Sequence, residues 1–215
     1  MEFDQIPADN NICEHYVINF INHLGISNSY PICIGSDDYT DEIRMGILKI
    51  FKILITQHGF VPSENENQCN AFNTIKNDLF SIWFEDGAGL FHVHEDDELV
   101  AVTKNVEDII RVISGNIGEV YYRYYNISGH TVEIGNATQE VISNYNTMIQ
   151  HGFIGHDDRL VNIQHCCEFL YDGGYGFYNL VGGFENDSEY DIITSDFNTI
   201  LWYMNYEYGM YKEFD

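Results

Sequence analysis

A set of local signals occurs twice, in the same order, along this chain, and that order restricts the fold more than any single segment does. Gln57-His58-Gly59-Phe60 returns as Gln150-His151-Gly152-Phe153, each time closing a stretch with helical spacing. Asp86-Gly87-Ala88-Gly89 is answered by Asp172-Gly173-Gly174-Tyr175-Gly176, each between two strand-like runs, where glycine supplies the positive φ of a tight hairpin. Thr103, Asn105, Val106, Ile109 and Ile110 correspond to Thr194, Asp196, Phe197, Ile200 and Leu201, each set opening a helix. Short identities arise by chance, so it is their collinearity that points to a repeat.

The resulting expectation is an α+β fold with a tandem duplication of a helix, β-hairpin or sheet, helix unit, preceded by a short N-terminal helix. The divisions are an N-terminal helical extension over 1–40, a first unit over 41–116, a Tyr-rich connecting hairpin over 117–133 and a second unit over 134–215. With no Pro/Ser-rich linker between them, the units are expected to pack together.

Periodicity places the elements. Tyr16, Val17, Phe20 and Leu24 predict the N-terminal helix over 13–24, stopped by Gly25. Ile43, Ile47, Ile50 and Leu54 predict a helix over 41–58, with Asp41 and Glu42 at its start and Gly59 past its end. Strands are predicted over 79–84, 90–94 and 99–102, a helix from Val106, two strands in EVYYRYYNI and HTVEI, and a helix over 136–152. His58 and His151, at the ends of their helices, read as capping groups rather than chemistry.

Composition bounds the class. A chain of 215 residues with 45% hydrophobic residues and 3 Pro buries a core without staples. Five cysteines, an odd number without CxxC spacing, suit a reducing compartment. The acidic N-terminus lacks a signal-peptide pattern, and no apolar run reaches membrane-spanning length, so a cytoplasmic protein is expected, in the host cytoplasm if it is viral.

Charge is the most unusual property: 34 acidic residues face 9 Lys and Arg, a formal net charge of −25. Such a field repels nucleic acid and anionic membranes and attracts basic proteins.

Candidate chemistry is sparse. His92 and His94 share one face of a predicted strand, beside acidic residues, and form the one weak metal candidate; exposed histidines at a strand end are the simpler reading. Gly155-His156-Asp157-Asp158 reads as a polar loop, and Cys166-Cys167 as a strand pair with one thiol in the core. Without GxSxG, P-loop or GxGxxG spacing no cofactor is expected, and an enzyme is the lesser reading. The acidic clusters remain as partner-binding candidates: Glu85 and Asp86; Glu95, Asp96, Asp97 and Glu98; Glu107 and Asp108; Asp157 and Asp158; Glu185, Asp187 and Glu189.

These features point to an acidic inhibitor that binds a basic nucleic-acid-handling protein in the manner of a DNA mimic, of the anti-restriction or anti-CRISPR kind that phages and mobile elements encode. Two alternatives stay open: a bacterial immunity protein neutralising a basic toxin, and a metal-dependent hydrolase using His92 and His94. The Tyr-rich segment 119–125 also offers a homodimer contact.

Overall fold

The computed structural model describes residues 5–6, 16–18, 32–34, 41–62, 74–85, 88–182 and 191–209. Among these the fold is α+β, with four helices, antiparallel sheet strands and a separate hairpin. The chain divides into two compact units, Met1–Val100 and Ala101–Asp215. None of the helices is long and apolar enough to cross a membrane.

The first unit opens with β1 (Gln5–Ile6), β2 (Tyr16–Ile18) and β3 (Ile32–Ile34), joined antiparallel in that order. The helix expected over 13–24 is therefore corrected at its described residues: Tyr-Val-Ile, aromatic and β-branched, pairs as a strand between Gln5–Ile6 and Ile32–Ile34. The other residues of that stretch lie outside the described ones.

α1 (Asp41–His58) is present as expected and ends before Gly59, whose φ of 72° is the left-handed stop. Its buried stripe, however, is Ile47, Phe51 and Leu54, spaced i, i+4, i+7, while Ile50 is half-buried. Phe51 sets this rotation, because its ring packs edge-on against the touching rings of Phe84 and Phe91, with centroids 6.2 and 5.5 Å away. Those rings belong to an antiparallel meander of β4 (Val61–Pro62), β5 (Thr74–Lys76), β6 (Phe80–Glu85) and β7 (Leu90–Glu95). Alternation puts Ile75, Ile82, Phe84 and Val93 in the core, and leaves Trp83, His92 and His94 on the outer face. β8 (Glu98–Thr103) follows after a two-residue turn.

The second unit starts in β8 and continues through α2 (Val106–Ile113), β9 (Tyr122–Ile127), β10 (His130–Gly135), α3 (Gln139–Gln150), β11 (Ile154–His156), β12 (Arg159–Asn162), β13 (Cys167–Asp172), β14 (Phe177–Gly182), β15 (Asp191–Thr194) and α4 (Phe197–Tyr208). β11 to β15 pair antiparallel in chain order, and Ile193 of β15 faces Val102 of β8. Leu160, Phe169, Leu180 and Ile192 form one fully buried cross-strand row. α3 lays Tyr145 against Phe169 at 5.1 Å, and α4 lays Phe197 against Phe169 and Tyr178 at 6.0 and 5.3 Å.

The three later helices are capped by residues legible in the sequence: Asn105, Thr138 and Asp196 each accept a backbone N–H from the first turn. His151 sits at the α3 end as expected, and burial pulls the pKa of its imidazole below the ordinary value. Cys167 is buried at the start of β13 and Cys166 is exposed in the turn before it.

The hairpin base meets the β13–β14 turn backbone to backbone. Gly118 N–H donates to Gly174 O at 3.0 Å, and Asn136 Nδ2 donates to Gly173 O at 3.0 Å and Glu119 O at 2.7 Å. A Cβ on Gly173 would lie 2.4 Å from Gly135 O, inside any allowed contact. Gly173→Ala is therefore expected to lower stability by about 2 kcal/mol, read as a fall in thermal midpoint. Gly46→Ala, on the exposed side of α1 with nothing within 4 Å of its Cβ, should raise stability by up to about 1 kcal/mol. A Gly173→Ala protein as stable as the parent would show that the close approach is not held in solution.

Candidate interaction surface

The acidic groups fall into three physical situations. The first is the tight turn. Asp96 and Asp97 have φ of 48° and 70°, the two left-handed positions of the β7–β8 turn, and Asp157 has φ of 53° in the β11–β12 turn. Aspartate tolerates this region better than most residues, so all three have a backbone role as well as a charge. Asp96, Asp97 and Glu98 are exposed and Glu95 is half-buried, so this turn does present a compact carboxylate cluster to solvent.

The second situation is the internal partner. Glu85 is half-buried and its Oε2 lies 3.0 Å from His92 Nε2. The His92 ring is 4.7 Å from that of Trp83. His94 is half-buried on the same face, opposite Ser81. With His92 bonded to Glu85, no group of three His, Cys, Asp or Glu among the described residues is arranged to hold a metal ion. Asp158 and Glu168 both accept from Arg159, at 2.9 and 2.7 Å, and the guanidinium holds the Asp158 carboxyl below the usual carboxylate range.

The third is full burial, and it overturns one expectation. Asp108 is 0% exposed and is not a surface contact group. Its Oδ2 accepts from Thr103 Oγ1 at 2.8 Å, Thr194 Oγ1 at 2.7 Å and Ser195 N at 3.0 Å, and its Oδ1 accepts from Ser195 Oγ at 2.5 Å. Neighbouring Glu107 points to solvent in the first turn of α2, where the helix dipole favours a negative charge. Asp86, Glu185, Asp187 and Glu189 lie outside the described residues.

Three of the basic groups make side-chain contacts within the chain. Lys104 Nζ sits 3.1 Å from the centroid of Trp202, and burial pulls its pKa down to about 8, against the preference of the ring face for the charged form. Arg111 Nη1 donates to Tyr175 O at 2.8 Å with its guanidinium over Phe177, beside an open depression lined by Glu107, Ile110 and Asn116. Arg159 is spent on Asp158 and Glu168. The carboxylates left facing water, notably at Asp96, Asp97, Glu98, Glu107 and Asp157, have no such partner in these bases.

Sequence reading missed the Asp108 site and left open whether Tyr121 and Tyr122 are exposed or buried; both are exposed, as is Tyr124. A signal for the Asp108 site was present in the matched Thr-x-Asn and Thr-x-Asp triplets at 103–105 and 194–196, whose threonine side chains meet at Asp108.

Two substitutions separate backbone roles from charge. Asp96→Asn with Asp97→Gly gives the residue pair this turn favours most, and should hold or raise stability by up to about 1 kcal/mol while removing two charges; a clear fall in thermal midpoint would mean that the carboxylates themselves stabilise the turn. Asp108→Ala should cost on the order of 3 kcal/mol, since it strands three hydroxyls and a backbone N–H, and a loss within error of zero would remove the site as a structural centre. Comparison with protein-family models, with curated proteins and with solved structures finds no match to this chain.

Proposed function

We propose that this chain is an acidic inhibitor that docks on a basic, nucleic-acid-handling protein and blocks it sterically. The observation that supports this reading most directly is the exposure of its carboxylates. The net charge is −25, and Asp96, Asp97, Glu98, Glu107 and Asp157 all face solvent, so the outward field is dominated by negative charge. The DNA-mimic form of the reading assigns Asp96, Asp97, Glu98, Glu107 and Asp157 to contacts that phosphates would otherwise make, with the masking partner's lysines and arginines opposite.

The internal duplication belongs to the same proposal. Each half runs helix, five strands, helix: α1, β4 to β8, α2, then α3, β11 to β15, α4. Thr103 and Thr194 receive the N–H of Asn105 and Asp196 at 2.9 and 3.1 Å, and those two residues cap α2 and α4 through the N–H groups of Glu107 and Asn198 at 3.1 and 3.0 Å. This matched local chemistry supports a repeated unit.

The test is capture of partners from a host lysate on the tagged protein, followed by elution with duplex DNA or stepped salt. A basic nucleic-acid enzyme released by both is the expected result, with weaker retention by the Asp96→Asn, Asp97→Gly, Glu98→Gln protein. A single small basic partner that DNA does not displace would replace mimicry by toxin immunity. Retention indifferent to salt and to these substitutions would sink the electrostatic reading altogether.

A further inference from the structure

The β9–β10 hairpin is finished on one side only. β10 is packed: Val132 and Ile134 are buried, Glu133 N–H donates to Asp157 O at 3.0 Å, and His130 Nδ1 accepts the N–H of Gly155 at 3.2 Å. β9 is the edge of this two-stranded sheet, and on or beside it Tyr121, Tyr122 and Tyr124 are 65, 63 and 71% exposed. Arg123 is exposed as well.

Backbone parity can be read from both ends of the hairpin. At the base, Asn136 N–H donates to Tyr121 O at 3.1 Å; at the tip, the two-residue turn Ser128-Gly129 closes on the pair Ile127 and His130. Both make 121, 123, 125 and 127 the residues bonded to β10. The N–H and C=O groups of Tyr122, Tyr124 and Asn126 therefore point away from β10, and no acceptor or donor among the described residues receives them. Edge strands are normally blunted by proline, bulges or several charges. β9 has no proline and one charged residue, Arg123.

We propose that β9 is a homodimer interface, pairing antiparallel with β9 of a second copy about a two-fold axis at Tyr124. A symmetric pair must match free residues with free residues, and the register centred on Tyr124 matches all three: Tyr124 with its own counterpart, and Tyr122 with Asn126 twice. The same register sets Arg123 opposite Tyr125 of the second copy, a cation–π arrangement, whereas centring on Arg123 would set two guanidinium groups face to face. A second copy fits this strand because the segment is locally balanced: Glu119 and Arg123 are the two charges in 119–127. The wider field of −25 on each chain opposes approach, and salt screens it over about 8 Å at physiological ionic strength. The dimer is thus weak and strengthened by salt, opposite in sign to the salt dependence of a basic partner.

Sedimentation equilibrium over a range of concentration and salt is the direct test. The mass is expected to rise towards the dimer with concentration and more steeply at high salt. Tyr124→Pro removes an outward N–H that β10 does not use, and should give a monomer with an unchanged thermal midpoint. In a Cys166→Ser background, Tyr124→Cys should cross-link between copies on oxidation, since hydrogen-bonded antiparallel partners stand about 5.5 Å apart at Cα, while Tyr122→Cys, facing Asn126, should not. A chain monomeric at every concentration and salt overturns the proposal, as does a dimer that a folded Tyr124→Pro protein retains. If that variant does not fold, equal cross-linking at the two cysteine positions overturns it, and cross-linking confined to position 124 supports it.

Discussion

The carboxylate of Asp108 is buried and accepts four hydrogen bonds, none of them from a cation among the described residues, and the end of β8, the end of β15 and the starts of α2 and α4 all meet there. A buried carboxylate is costly unless its lone pairs are filled. Here they are filled by two threonine hydroxyls, one serine hydroxyl and one backbone N–H. Each threonine oxygen in turn accepts a backbone N–H from the residue that caps the following helix, so one side chain fixes where two strands stop and two helices begin. Through α4 this reaches the core, because Phe197 packs on Phe169 and Tyr178 in the first turn after the cap.

The same site explains why the segments that open at Thr103 and Thr194 match in some positions and differ in others. Counting from each threonine, the position of Asp108 corresponds to Thr199 in the second set. Thr103 Oγ1 and Thr194 Oγ1 are 3.2 Å apart, and both turn their protons to the one carboxylate. A second carboxylate at this centre would set two like charges in a low-dielectric interior, which strongly favours a neutral group. Thr199 instead donates to Asp196 at 2.9 Å, within its own helix start. Matched threonines and caps beside an unmatched Asp108 are what a shared centre between two similar elements requires.

The acidity of the chain is likewise a product of backbone geometry as well as of surface field. Asp96, Asp97 and Asp157 occupy left-handed turn positions, Glu107 sits at a helix N-terminus and Asp172 Oδ1 accepts Gly174 N–H at 2.7 Å within the β13–β14 turn. Each site would accept asparagine or glycine on backbone grounds alone. That aspartate and glutamate stand there, while Lys104, Arg111 and Arg159 lie against Trp202, Tyr175 and Glu168, concentrates negative charge at exposed turns.

All four described helices and three of the hairpins could be read from local residue patterns. Helical spacing located α1, α2 and α3, the match to the Thr103–Ile110 segment located α4, strand propensity located β9 and β10, and glycine-containing turns located the β6–β7 and β13–β14 hairpins, because propensity and positive φ act within a few residues. Which groups face inward depended on long-range packing. Phe51 rotated the buried stripe of α1, Tyr16–Ile18 became a strand between two others, and Asp108, one of two adjacent acidic residues, went to full burial while Glu107 stayed in water. Adjacent residues on a helix differ by about a hundred degrees of rotation, and which of them meets a partner depends on groups some ninety residues away in the chain, as with Ser195 and Thr194. Such distant donors leave no local pattern, so the burial of a charge, and the open edge of β9, could be seen only once the chain was folded.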